Sequence, residues 1–299
     1  MDILVVGSIA LDTIKTPFGQ VEEVLGGSAT FFSYAASFFS GVRILGAVGE
    51  DFPKQYIENF QKRKIDISGI QICKGKTFRW CGCYGENLNE AKTLSVCLNV
   101  MENFSPLLPN HYKDSKYVFL ANIDPEVQEA VLEQIENPIL VVCDTMNLWI
   151  NTKLPKLLEL LKKVDILVLN EGEAKMLTGK NNLLDAGKKI LQLGPSATII
   201  KKGEHGSLFV TENDLFIIPA YPTEKVLDPT GAGDSFGGGF MGYLASIGDI
   251  SNQNIKKAIV YGTVIASFVV EDFSVKGLEK IKKVDIEERI EKIKKFIEF

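Results

Sequence analysis

Histidine is scarce. Two, His111 and His205, occur in 299 residues, too few for a histidine-rich metal site or for acid–base chemistry that rests on imidazole. Both read as surface or packing residues. The five cysteines, Cys73, Cys81, Cys83, Cys97 and Cys143, form an odd set without a Cys-x-x-Cys pair, and a Cys-x-Cys spacing suits neither a structural disulfide nor a zinc site. Reduced thiols in a cytoplasm are therefore expected. Long hydrophobic runs are missing too: the longest nearly uncharged one, Ala258 to Val270, falls short of the roughly 20 residues that cross a bilayer. The start, Met1-Asp2-Ile3-Leu4-Val5-Val6-Gly7, has an acid where a secretory leader carries its basic region, so neither export nor a membrane partner is expected. Positive charge is not in excess, with 33 Lys and Arg against 38 Asp and Glu and a net charge of -5. That balance leaves no overall field to gather nucleic acid.

What is present is an ordinary globular composition, 45% apolar and 24% charged, long enough for two units or one large α/β domain. Val5-Val6, Leu140-Val141-Val142, Ile166-Leu167-Val168-Leu169 and Thr198-Ile199-Ile200 are short apolar runs closed by polar residues or glycine. They read as strands buried on both faces, as in a parallel sheet. Helical-period stretches at 153–164 and 184–193 lie between or beside them, which argues a βαβ alternation, and Asp285 to Phe299 reads as a terminal amphipathic helix. Two stretches break the pattern, Phe18 to Leu25 and Ile70 to Val100. These lack helical period and read as antiparallel strands joined by turns, forming a small projecting sheet. No repeat or flexible linker divides the chain, so a second unit would be an insertion in the first.

The densest chemical signal is Asp228-Pro229-Thr230-Gly231-Ala232-Gly233-Asp234-Ser235-Phe236-Gly237-Gly238-Gly239-Phe240. A glycine turn leads into a helix start, where the amides of Gly231, Ala232 and Gly233 would face an anion, with the Asp234 carboxylate beside them. The plainer reading makes Asp234 a helix cap and Gly237 to Gly239 contact points for close packing. Three helical glycines at about 1 kcal/mol each relative to Ala need such a reason. Other nucleotide motifs fail: Gly75-Lys76-Thr77 ends like a P-loop, but Ile70 stands where its first glycine belongs.

The 228–240 segment resembles the C-terminal signature of the PfkB family of carbohydrate kinases, the ribokinase-like group. Gly26-Gly27 through Gly46-x-Val48-Gly49-x-Asp51 resembles the N-terminal one, and the order and spacing fit from Val5 to about Val270. The resemblance implies an α/β fold, a ribokinase-like three-layer α/β/α core with a mainly parallel central sheet and a small β-sheet lid. It would be one kinase domain over 1–299, with the lid inserted from about 12–25 and 70–102. It implies an ATP- and Mg²⁺-dependent phosphotransferase in which Asp234 is the general base and the Gly231, Ala232 and Gly233 amides bind the transferred charge. Asn170 and Glu173 resemble the Asn-x-x-Glu motif that organises Mg²⁺, usually through water. Lys202, Gly203 and Gly206 resemble the nucleotide-side loop, joined by Thr230. On the acceptor side Asp12 matches the sugar-binding aspartate, Gly26 and Gly27 the diglycine that admits the substrate, and Ser28 and Asn147 belong to the same set. Asp228 and Thr230 sit where some members bind K⁺.

Two departures from the family pattern bear on the acceptor. Phe31 stands where many members have asparagine and would offer an aromatic face, and Trp149, in Asp144-Thr145-Met146-Asn147-Leu148-Trp149, stands where arginine is common. An anionic substrate would want that arginine. The expected acceptor is a neutral sugar or sugar-like alcohol, with a nucleoside such as adenosine as the alternative. A non-catalytic nucleotide- or sugar-binding regulator is the reading from another class. The β-rich segment has edges that want covering, so a homodimer through the lid is also expected.

Overall fold

Alternation of apolar side chains along buried strands sets the frame of the computed structural model, which describes residues 1–89 and 91–298. The strands are β1 (Ile3–Val6), β2 (Ala10–Thr16), β3 (Gly19–Gly26), β4 (Val42–Gly49), β5 (Ile65–Cys73), β6 (Phe78–Tyr84), β7 (Ala91–Cys97), β8 (Tyr117–Leu120), β9 (Leu140–Asp144), β10 (Ile166–Asn170), β11 (Ala197–Lys201), β12 (Ser207–Thr211) and β13 (Leu215–Ile218). Nine of them form one sheet in the order β13-β12-β11-β10-β9-β8-β1-β4-β5. Every pairing from β11 to β5 is parallel, and β12 and β13 close one edge antiparallel.

Successive residues of such strands point to opposite faces, and two separate cores result. Ile3 and Val5 of β1 enter one core, Leu4 and Val6 the other. The first core packs against α1 (Ser28–Ala36) and α2 (Lys54–Lys62). The second packs against α3 (Pro125–Leu132), α5 (Leu154–Leu161), which follows α4 (Asn147–Thr152), α6 (Glu171–Thr178) and α7 (Leu183–Leu191). Back on the first face lie α8 (Ala232–Ile247), α9 (Asn252–Val269), α10 (Lys276–Glu279) and α11 (Lys283–Ile297). The three-layer α/β/α arrangement is the one expected. The expected strands and helices fall at these positions, and the terminal helix runs through Ile297, while Phe299, where it was expected to end, lies outside the described residues.

The small sheet differs in detail from expectation. Its order is β3-β2-β6-β7, built from two antiparallel hairpins joined by a parallel β2 to β6 pairing. Parallel strands need a long crossover, and here the chain supplies one by passing through α1, β4, α2 and β5 before it returns. Residues 70–73, expected in the small sheet, instead pair with β4 in the large one, because β5 continues past the bulge near Leu45 to the strand's end. No helix among the described residues is long and apolar enough to cross a membrane.

The glycines of α8 act mainly in packing. A β-carbon on Gly238 would lie 2.3 Å from the Phe32 carbonyl oxygen, and one on Gly237 2.6 Å from the Phe119 ring, so α8 lies hard against α1 and β8. Gly238→Ala should lower the urea midpoint by an amount equivalent to about 1–3 kcal/mol, the typical penalty of overpacking, despite alanine's better helix propensity. An unchanged or raised midpoint in equilibrium unfolding would contradict this packing.

Candidate active site

Strand parity decides which polar side chains meet. Leu140 and Val142 of β9, Ile166 and Val168 of β10, and Ala197 and Ile199 of β11 all face the core under α8. The next residues of the same parity are Asp144, Asn170 and Lys201, each the last residue of its strand. They stand at the carboxyl edge of the parallel sheet, where open α/β folds place their ligands.

The head of α8 arrives above that edge. Gly231, at φ 76°, caps the helix, and Asp234 lies in its first turn, half-buried and not sealed. Ala232 N–H donates to the Pro229 carbonyl at 3.2 Å. The cradle is therefore smaller than expected, since the turn itself consumes that amide; among the described residues the Gly231 and Gly233 amides have no backbone acceptor. Lys201 Nζ donates to Asp144 Oδ2 at 3.0 Å. A β-carbon on Gly233 would lie only 2.9 Å from that Nζ, which puts the ammonium directly beside the cradle.

Charge in this region is out of balance. Burial and the Asp144 charge push the Asp234 carboxyl up to about 7, against the pull of Lys201. Burial and Asp144 likewise raise Glu173 to about 7. Burial tends to lower the Lys201 pKa, but Asp144, Glu173 and Asp234 together hold it above the ordinary range for lysine. Asn170 and Glu173 form a reciprocal capping box at the start of α6: Asn170 Oδ1 accepts from Glu173 N–H at 2.8 Å and Glu173 Oε2 accepts from Asn170 N–H at 2.7 Å. The motif thus fixes Glu173 in place, within reach of the charges of Asp144, Lys201 and Asp234. Among the described residues no three Asp, Glu, His or Cys converge to ligate a metal directly. Surplus carboxylates set back in this way fit a Mg²⁺ that keeps water and phosphate oxygens as its inner ligands.

A cavity of about 600 Å³ opens from Lys201 and Gly233. Its far walls are mainly apolar, with Tyr221, Val226, Phe236 and Val270, and Gly203, Gly206 and the 86–89 turn of the small sheet complete it. Apolar walls with charge at one end suit a ligand with a flat apolar part and an anionic tail. Gly203 and Gly206 both have positive φ, but the space beside Gly206 is filled by the Ile218 carbonyl, 1.9 Å from where a β-carbon would be. Its smallness serves chain packing. Lys202, expected to line this loop, closes it through its backbone, accepting from His205 N–H and donating to Gly206 O. The cation that reaches the site is its neighbour Lys201, because parity turns Lys202 the other way.

Asp12 stands at the opposite end of the site. It is 4% exposed, and its carboxylate occupies the space above Gly26, where a β-carbon would lie 1.8 Å from Oδ2. The room at Gly26 therefore belongs to Asp12 and not to a substrate. Gly27, at φ 95°, lies against the Ser8 carbonyl. Ser28 uses its hydroxyl to donate to the Asn122 carbonyl at 3.0 Å and to accept from Ser8 N–H at 3.1 Å. Beyond it Trp149 Nε1 donates to Asn122 Oδ1 at 2.9 Å, holding a half-buried indole near this end. Asn147 is exposed at the start of α4. Phe31 is corrected outright: it is 1% exposed, and its ring backs Gly231 so closely that a β-carbon there would lie 2.3 Å away. It offers no open aromatic face.

Asp228 is also reassigned. It is fully buried, and its two oxygens accept from Thr230 N–H at 2.9 Å and Ser274 N–H at 3.2 Å. The carboxylate clamps the loop and is not presented to a K⁺ ion. Thr230 Oγ1 meets the Tyr84 hydroxyl at 3.0 Å, so the end of β6 reaches from the small sheet onto the glycine turn. At the base of that sheet Asp51 accepts from Thr77 N–H and Oγ1 at 2.7 and 2.8 Å and pairs with Arg79 at 2.9 Å. The Gly49-x-Asp51 signature is thus a structural joint. Lys201, Asp144, Tyr84 and Asn122 had no assigned role from sequence, although a lysine ending an apolar strand in the parity of Ile199 was a usable signal for the first. His111 and His205 lie on the surface, more than half exposed.

A model of the pfkB family of carbohydrate kinases matches residues 2–281. Among curated proteins, the cytidine kinase of Thermococcus kodakarensis is 31% identical over 247 residues, covering 81% of this chain and 87% of that protein. The nucleoside kinase of Methanocaldococcus jannaschii is 26% identical over 229 residues, or 76% of this chain and 72% of that one. Its crystal structure superposes with a TM-score of 0.76 at 23% identity, covering 97% and 98% of the two chains. A putative ribokinase II from E. coli, solved with ATP and Mg²⁺, gives a TM-score of 0.80 at 19% identity over 97% and 99%.

Burial, reinforced by the charges of Asp228 and Asp234, raises Asp12 to about 8 against the opposing Gly27 amide. A carboxyl with a raised folded-state pKa stabilises the fold below its unfolded value near 4 and loses that contribution as pH rises through about 8. Asp12→Asn should therefore gain a few degrees of Tm over the wild type at pH 9 compared with pH 6. A difference in Tm that stays constant between the two pH values would contradict the assignment.

Proposed function

The chain belongs to the pfkB family of carbohydrate kinases, and within that family we propose that it transfers the γ-phosphoryl group of ATP, with Mg²⁺, to a hydroxyl of a nucleoside. Family membership and kinase-named relatives already make it a sugar or nucleoside kinase, which sets aside the non-catalytic regulator. The observation that carries the finer reading is the acceptor end itself. The Asp12 carboxyl is buried beside two further acids, Asp228 and Asp234, and Gly27 N–H is its counterweight. Carboxyls there, with no cation among the described residues beside Asp12, give a phosphorylated sugar nothing to pair with and suit the hydroxyls of a neutral polyol. The indole of Trp149, fixed through Asn122, supplies an apolar surface suited to a base, and the 31% identical relative is a cytidine kinase.

In this reading Asp12 accepts hydrogen bonds from ribose hydroxyls, and Asp234 takes the proton of the attacking hydroxyl. The Gly231 and Gly233 amides at the head of α8 hold the transferred phosphoryl oxygens. Mg²⁺ bound with the triphosphate would neutralise phosphate charge, with Glu173 holding one of its waters. The apolar end of the cavity takes the adenine. A cytoplasmic setting is supported by the five free thiols. A second copy on the small sheet is supported by β7, whose seven residues are all exposed and include Leu94 and Val96.

Asp234→Asn should lower kcat by roughly 10²–10⁴-fold, the usual contribution of a positioned base, while ATP affinity measured by calorimetry stays within about twofold. In the wild type kcat/KM should fall as pH drops below about 7, where Asp234 becomes protonated. An acceptor screen of cytidine, adenosine, ribose, fructose and fructose 6-phosphate tests the substrate class. A free or phosphorylated sugar turning over faster than every nucleoside would overturn it. Sedimentation of the wild type as a dimer, and of Leu94→Lys as a monomer, is expected for the small-sheet contact.

A further inference from the structure

We propose that Lys201 is a catalytic residue that donates to the phosphoryl group in flight, with Asp144 as the positioning residue that aims it. The inference rests on the kinase reading above and adds to it a cation that the glycine turn does not contain.

Lys201 ends the apolar strand Ala197–Lys201 and lines the same cavity as Gly233. Its side chain is 17% exposed and that of its partner Asp144 5%. A buried ion pair seldom stabilises a fold more than apolar residues of the same size would, so stability does not account for this one. Position does. Nζ sits against Gly233, 2.9 Å from where a β-carbon would lie, and among the described residues the Gly233 amide has no backbone acceptor. The ammonium at the end of β11 and the head of α8 therefore border the same cavity. Asp144, Glu173 and Asp234 are the carboxylates whose charges reach this ammonium, and among the described residues Asp144 alone bonds to it.

A loose phosphoryl-transfer transition state gathers charge on the equatorial oxygens and on the leaving oxygen. As the acceptor oxygen bonds to the γ-phosphorus, the bond from that phosphorus to the β,γ-bridging oxygen breaks, and its electron pair stays with ADP. The acceptor's proton goes to Asp234. Lys201 stays protonated throughout, and its N–H groups meet the negative charge as it develops.

The test compares wild type, Lys201→Met, Lys201→Arg and Lys201→Met/Asp144→Asn, the last to spare Asp144 an unpaired burial. Calorimetry with Mg²⁺ measures binding of a non-hydrolysable ATP analogue and of AMP, alongside kcat. Lys201→Met and the double variant should each lose about 100-fold or more in kcat, weaken the triphosphate analogue about tenfold and leave AMP within about twofold, with Lys201→Arg recovering part of the binding. If kcat stays within about threefold and the triphosphate-to-AMP preference is unchanged, the pair is structural and the proposal fails. Should the wild type phosphorylate no acceptor, the kinase reading fails instead, while the triphosphate-to-AMP ratio still decides the role of Lys201.

Discussion

Three carboxylates and one ammonium are gathered at the carboxyl edge of the large sheet, largely shielded from water, and they cannot all be charged at low cost. Asp144 is bonded to Lys201 at 3.0 Å, and both Asp234 and Glu173 are raised to about 7. In a poorly screened interior each further ionisation works against the others. The site therefore rests close to the point at which a proton is easily gained or released, which is the condition a general base requires. On the proposed reading, a nucleotide entering with a divalent cation would bring the positive charge these acids lack, and Lys201 and the head of α8 would meet its phosphates. On that reading, acid–base readiness and nucleotide binding would both follow from one charge imbalance.

That imbalance is tolerated because rigid elements hold each group where it is. Asp144 and Lys201 are anchored by β9 and β11, Glu173 by its capping box with Asn170, and Asp234 by α8. The helix is itself pinned by Gly237 and Gly238 against Phe119 and the backbone of α1. A side chain at any of these contacts would move α8, and with it the carboxylate and the amides. The small sheet connects to the same framework at two places. Arg79 and Thr77 tie its base to Asp51, and the Tyr84 hydroxyl meets Thr230 on the glycine turn.

Much of the architecture was legible in the chain. Buried parallel strands are apolar on both faces, so 140–142, 166–169 and 198–200 announced themselves, as did the glycine turn before α8. Asp12, Asn170, Glu173 and the tryptophan at 149 where arginine is common were visible only through the family resemblance, whereas the strands and the head of α8 were visible in the residues themselves. These are local features: turn chemistry, capping and periodicity act between residues a few positions apart.

Other assignments depended on distances through space. Phe31 reads as an aromatic available to a ligand until its ring is seen beneath Gly231, two hundred residues away in sequence. Asp228 reads as a cation ligand until Ser274 arrives to claim its second oxygen. Lys202 and Lys201 are adjacent letters, and only the pairing of β11 with β10, together with the position of α8 over one face, decides which ammonium enters the site. The sequence by itself determined the alternating layers, the glycine turn and the helix start that carries Asp234, because each is encoded by short-range backbone preferences. Tertiary structure alone decided which charges share an enclosure, because burial and electrostatic coupling arise only when distant segments exclude water from between them.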